Sequence, residues 1–166
     1  TDREIDAVER NVMKEGFGVR DLEQVIAFKP EKTPLPRGQI AIYRMNDGSP
    51  VFIGEDRVYS TAPGREVEIT VGKNFNLQGE RIRLAHRREN RNVTEDVIQV
   101  KLMNGSNETQ TAIVREMVYG VWDLTSADFD GAPVEYEQVS ARKIQFEVEL
   151  PANSVKTLQY TIRYGY

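Results

Sequence analysis

The sequence contains no cysteine and a single histidine, His86, among its 166 residues. Without thiols there is no disulfide framework, no thiolate nucleophile and no cysteine-ligated zinc. The redox compartment stays open, because a cysteine-free chain is stable on either side of a membrane. No apolar run approaches the roughly 20 residues of a bilayer-spanning helix, and no segment reads as a signal peptide. The first residue is Thr1 rather than Met, which leads us to expect a processed product or an excised fragment. No internal repeat of 20 to 50 residues stands out. The formal charge of −4 gives no global pull towards nucleic acid or anionic membrane.

What is present is a β-rich composition. Hydrophobic residues make up 39% and charged residues 29%, with Val, Ile, Thr, Tyr and Phe spread along the chain, as in a soluble folded domain. The length suits one domain with an N-terminal appendage, burying roughly two-thirds of its unfolded surface. Thr1 and Glu4 have capping-box spacing, Ile5, Val8 and Val12 fall at i, i+3 and i+7, and Gly16 stands where a helix would end. This predicts a short amphipathic helix up to Glu15; the competing reading is a linker or a strand from a preceding domain. The expected division is a helix or linker segment over 1–21 and a β domain over 22–166.

From Leu22 the pattern has period two. Leu22 to Phe28 reads as a strand, after which Pro30, Pro34 and Pro36 interrupt the ladder. Gln39 to Met45 alternates, with Ile40 and Ile42 on one face, and Asn46-Asp47-Gly48 supplies a tight hairpin turn. Val51 and Ile53 return the apolar face, and Gly54 marks a bulge or a close backbone approach. Glu66 to Val71 places Val67, Ile69 and Val71 inward, and Gly72-Lys73-Asn74 reads as a turn. Strands follow over Leu77 to Arg88, with Ile82 and Leu84 inward, over Val93 to Met103 and over Thr109 to Tyr119. Trp122 then opens a polar loop, Asp123 to Pro133. Val134 to Val139 and the alternations through Ile144 to Leu150 and Leu158 to Tyr164 close the chain. The expected fold is all-β, an antiparallel immunoglobulin- or fibronectin-like β-sandwich with a short N-terminal helix or linker.

Leu35-Pro36-x-Gly38, the strand with Tyr43, then Asp47-Gly48, Phe52-x-Gly54-Glu55 and Pro63-Gly64-x-Glu66 ending at Gly72, with Phe75 beyond, resemble the bacterial domain of unknown function family 4139. That module also forms the C-terminal domain of mucoidy-inhibitor-like proteins. The likeness extends through Arg81 to Arg88, Leu102-x-Asn104, Trp122 and the closing hairpin, covering residues 22–166. It implies a β-sandwich following another domain in a longer, often exported or envelope-associated protein. It brings no catalytic residue and no cofactor.

The residues themselves offer few candidates for chemistry. His86 has no cysteine, no Gly-x-Ser-x-Gly elbow and no second histidine to work with, so a strand-end structural role outweighs catalysis. Strand alternation would set Arg81, Arg83 and Arg87 on one solvent face, with Arg88 beside them. Such a face could clamp an acidic polysaccharide or another polyanion, with Tyr43, Tyr59 or Tyr119 as stacking surfaces. The plainer reading pairs these arginines with acids such as Glu95 or Glu68. Asp123, Asp128 and Asp130-Gly131 lack EF-hand spacing and read as a turn. Asn92-Val93-Thr94 and Asn107-Glu108-Thr109 are sequons that matter only in a eukaryotic secretory setting. A hydrolase using buried carboxylates ranks last. We therefore expect no catalytic residue, metal or cofactor, no nucleic-acid partner, and an interaction or structural role towards a protein partner.

Overall fold

The computed structural model describes residues 5–165, and these contain no helix. Their strands are β1 (Ala7–Met13), β2 (Gly18–Phe28), β3 (Gly38–Asn46), β4 (Ser49–Val58), β5 (Val67–Asn90), β6 (Val93–Asn104), β7 (Gln110–Met117), β8 (Val121–Phe129), β9 (Ala132–Pro133), β10 (Glu137–Ser140), β11 (Lys143–Leu150) and β12 (Ser154–Gly165). Ten form one sheet in the order β10-β11-β7-β1-β2-β5-β6-β12-β8-β9, and β3 pairs with β4 in a second sheet. The all-β expectation holds. The expectation of wholly antiparallel pairing does not, because β1 runs parallel to β7, with Asn11, Val12 and Met13 opposite Ala112, Ile113 and Val114.

The N-terminal helix is also corrected. Residues 7–13 form β1, which is paired on both edges, and its neighbours Val12 and Met13 are both fully buried. Adjacent buried side chains are natural in a central strand, whose successive residues point to opposite covered faces. Val8, assigned to the helical stripe, is exposed. The Thr1–Glu4 capping box lies outside the described residues.

Two further segments differ from expectation. Gly72-Lys73-Asn74 is no turn: β5 runs unbroken across it, and Gly72 has no positive φ. The stretch from Asp123 is no loop either, since β8 pairs with β12 as far as Phe129, and only Asp130-Gly131 turns the chain, both in the left-handed region.

The described chain divides into two compact units. The first comprises residues up to Arg10 with Glu23–Lys73; the second comprises Asn11–Leu22 with residues from Asn74 onward. The division expected at residue 21 or 22 thus falls inside β2. In the first unit, Phe28, Val58, Val67 and Ile69 form a core covered by Leu35, Ile40, Ile42 and Val71. In the second, Ala112, Val114, Ile144 and Phe146 from β7 and β11 share a core with Ile98, Val100, Leu158 and Tyr160 from β6 and β12. The Phe146 and Tyr160 rings lie 4.9 Å apart there. Alternation predicted these inward faces well on β6, β11 and β12.

Candidate functional site

The β3–β4 hairpin is built by its turn. Asp47 (φ 49°) and Gly48 (φ 79°) are both left-handed, the two-residue conformation that matches the twist of paired strands. Asn46 lies opposite Ser49 and Tyr43 opposite Phe52, with a register shift beside Ile42 that leaves Ile53 as the extra residue of a bulge. Gly54 follows it, and a Cβ there would meet Val71 Cγ1 at 2.8 Å. Both features expected of Gly54, bulge and close approach, occur together.

Ile40 and Ile42 turn to the first unit's core. Towards the tip the hairpin leaves that core, and every residue from Tyr43 to Phe52 is exposed. Tyr43, Met45, Val51 and Phe52 are 57%, 62%, 47% and 53% exposed. Tyr43 and Phe52 meet edge to face, with centroids 5.6 Å apart. The pairing register puts Tyr43, Met45, Pro50 and Phe52 on one face and Arg44 and Val51 on the other. Arg44 is ion-paired with Glu9.

The arginine run is distributed differently from expectation. Arg81 is not on a solvent face: it is 1% exposed and points into the second unit's core with Leu77. Ile82 and Leu84, expected inward, are exposed, and a register shift between Arg83 and Ala85 ends the simple alternation. Arg83 and Arg87 are exposed but paired, Arg83 lying 4.0 Å from Asp96 and Arg87 3.8 Å from Glu95. Asp96 also meets Nδ1 of His86. Arg88 is exposed, its Nε donating to the Asn90 carbonyl at 3.2 Å. Of the aromatic residues considered with this face, Tyr43 and Tyr59 belong to the first unit, and only Tyr119 belongs to the second with the arginines.

Sequence reasoning missed the buried polar group of the second unit. Arg81 Nη1 donates to the carbonyls of Lys14 (3.0 Å) and Gly16 (3.2 Å), and Nη2 donates to that of Arg115. Its Nε lies 3.5 Å from Glu116 Oε2, the oxygen that accepts the Tyr160 hydroxyl. Burial raises the Glu116 carboxyl above its ordinary value, although Arg81 and the Tyr160 hydroxyl act in the other direction. Burial, reinforced by the charge of Glu116, also raises the Tyr160 hydroxyl well above its own, while Tyr164 is pushed up to about 12. The available signal was the parity of Leu77, Gly79 and Arg81, which places an arginine in an apolar register.

Arg81 and Tyr160 of this group are fully buried. A buried guanidinium bonded to three carbonyls is a structural tie between the β1–β2 turn and β7. Among the described residues no group of three or more His, Asp or Glu side chains is placed to hold a metal. Asp128 accepts from Gly131 N and Asp130 from Thr157 N, so both serve the β8–β9 turn and its neighbour. A shallow depression of about 440 Å3 in the first unit is lined by Asp6, Arg10, Lys29, Glu31 and Glu66 among others. Its Arg10 is held by Glu66 at 2.7 Å and Glu68 at 3.3 Å. No helix of the described chain is long and apolar enough to cross a membrane. Comparison with protein-family models, curated proteins and solved structures gave no match.

Proposed function

We propose that the chain is a non-catalytic interaction module of immunoglobulin-like β-sandwich type, part of a larger bacterial envelope protein, which holds a protein partner through the β3–β4 hairpin. The sandwich type is supported by the packing of β7 and β11 against β6 and β12 in one core. The envelope setting and the larger parent rest on the resemblance of residues 22–166 to domain of unknown function family 4139.

One observation carries the interaction reading: ten consecutive exposed residues, Tyr43 to Phe52, present four large apolar side chains. Single exposed apolar residues are ordinary, whereas a cluster on one projecting element marks a contact surface. Edge pairing explains the hairpin less well, because Pro50 removes a donor near the tip and Glu55, Asp56 and Arg57 place charge along the rest of β4. The test compares the parent protein with a Tyr43→Ser/Phe52→Ser variant by native size separation of envelope extracts. A complex that forms with the parent and is lost in a folded variant is the expected result. Equal complexes in both would refute the reading.

A further inference from the structure

We infer that Asn104-Gly105 is a latent modification site: the folded protein blocks its deamidation, and a chain that deamidates while unfolded does not return to the native state. It is the chain's one Asn-Gly pair. Glycine in this position leaves the attacking backbone nitrogen unhindered by a side chain. The reaction joins the Gly105 nitrogen to Asn104 Cγ while the Cγ–Nδ2 bond breaks, and the Gly105 amide proton leaves with the departing ammonia. Water then opens the resulting succinimide at one of its two carbonyls, giving aspartate or isoaspartate.

The fold engages both reacting groups. Asn104 continues the inward register of Ile98, Val100 and Leu102 on β6 and is 2% exposed. Its Nδ2 donates to the carbonyls of Glu108 (2.8 Å), Leu150 (3.0 Å) and Pro151 (3.2 Å), and its Oδ1 accepts from Ser106 N (2.9 Å) and Ser106 Oγ (2.7 Å). Carbonyls only accept and a backbone N–H only donates, so these partners fix which end of the amide is which. The attacking nitrogen is held as well, since Gly105 N donates to the Asn76 carbonyl at 2.8 Å. Asn104 itself lies between Leu77 of β5 and Ser154 of β12 in the ladder. Attack on Cγ requires these bonds to open together.

Unfolding releases every one of these restraints, and neither product fits back. In aspartate an oxygen replaces Nδ2, so a carboxylate faces three carbonyl oxygens that can only accept. Burying that charge without a donor is unfavourable, and the carbonyls lose the donor that satisfied them. Isoaspartate routes the main chain through Cγ and lengthens it by one carbon, which carries Gly105 N away from the Asn76 carbonyl. The modification therefore turns a reversible opening of the second unit into a permanent one.

The test holds the unmodified chain and a Gly105→Ala variant for days in mildly alkaline buffer, with and without urea, then returns both to buffer alone. Gly105 has no positive φ, and a Cβ there would come no nearer than 3.7 Å, to the Asn76 carbonyl oxygen, so the variant should fold while its methyl hinders the attack. Peptide mass spectrometry of the refolded and unrefolded pools is the readout. Without urea we expect Asn104 to keep its amide; in urea it should convert ahead of every other asparagine, the refolding yield falling in step and the modified chains collecting in the unrefolded pool. Gly105→Ala should keep its yield severalfold longer, and Asn104→Asp, made directly, should melt far below the unmodified chain or fail to fold. Equal conversion with and without urea would overturn the protection. Modified chains spread evenly between the two pools, an Asn104→Asp protein with unchanged melting temperature, or the same loss of yield in Gly105→Ala would each overturn the block to refolding.

Discussion

Glu116 on β7 accepts the hydroxyl of Tyr160 on β12 inside the core of the second unit. The same carboxylate faces Arg81 from β5, with the carboxylate of Glu15 from the β1–β2 turn contributing repulsion. Burial outweighs the attraction of Arg81, so the folded protein holds the Glu116 proton to higher pH than the unfolded chain, whose value is 4.5. The stabilisation from this group is complete below the unfolded value and is lost as pH rises through the folded one. Glu116→Gln should therefore gain stability relative to the parent as pH rises from 4 to 7. Melting temperatures of the two proteins along that series are the measurement; a pH-independent difference would be incompatible with this account.

Arg81 matters more for the carbonyls it satisfies than for its ion pair. Arg81→Met removes the donor from Lys14, Gly16 and Arg115 and leaves Glu116 without its cation. We expect a loss of about 3–5 kcal/mol in urea unfolding. Adding Glu116→Leu should restore only part of it, because the buried Arg115 carbonyl left without its donor costs about 1–3 kcal/mol. Full recovery in the double variant would mean that the ion pair dominates.

Gly54 is fixed by contact. Its added Cβ would lie 2.9 Å from Val71 Cβ and 3.1 Å from Val71 Cα, the latter in the backbone of β5. Gly54→Ala should destabilise the first unit by about 1–3 kcal/mol through overpacking, visible as faster amide exchange in β3 and β4. Unchanged protection of those amides would show that the hairpin shifts freely over β5.

Asp130 tests the β8–β9 turn. Its carboxyl is held below the ordinary 3.8, first by the Thr157 N–H and then by Lys156. That contribution is present above 3.8 and is lost as pH falls through the lowered value. Asn keeps the left-handed conformation that this position adopts, φ 52°, so Asp130→Asn isolates the charge. The variant should melt lower than the parent at pH 6 and converge with it at the acidic end of the titration.

The ion-paired state of Arg83 and Arg87 predicts weak retention on heparin. Pairs at such exposed positions contribute only about 0–1 kcal/mol to stability, and their cations are already matched by Asp96 and Glu95. Arg83→Ala and Arg87→Ala should leave the elution salt unchanged. A shift to lower salt in either variant would revive an acidic polysaccharide as ligand.

Wherever one face is buried and the other wet, the strands were legible as alternation. Ile98, Val100 and Leu102 and the series Ile144 to Leu150 show this, as does the Asp47-Gly48 turn, whose left-handed residues are a local requirement. The N-terminal strand was not legible, because a strand covered on both faces has no period of two and its apolar residues happened to fall at helical spacing. The face of Arg81 was misread because hydropathy treats arginine as outward, while three carbonyl acceptors decided its place. The exposed hairpin tip was legible in part: alternation sets Tyr43 on the face opposite Ile40 and Ile42, whereas Val51, read with the apolar face, is itself exposed.

The parallel pairing of β1 with β7 has a kinetic consequence. Asn11 meets Ala112, a partner on the order of 100 residues later in the chain, and such remote pairings raise contact order and slow folding. During synthesis β1 and β2 wait as an incomplete ribbon until β7 has left the ribosome. Deleting β1 would not trim a terminus but would split the ladder in two, leaving both halves with raw edges open to mispairing.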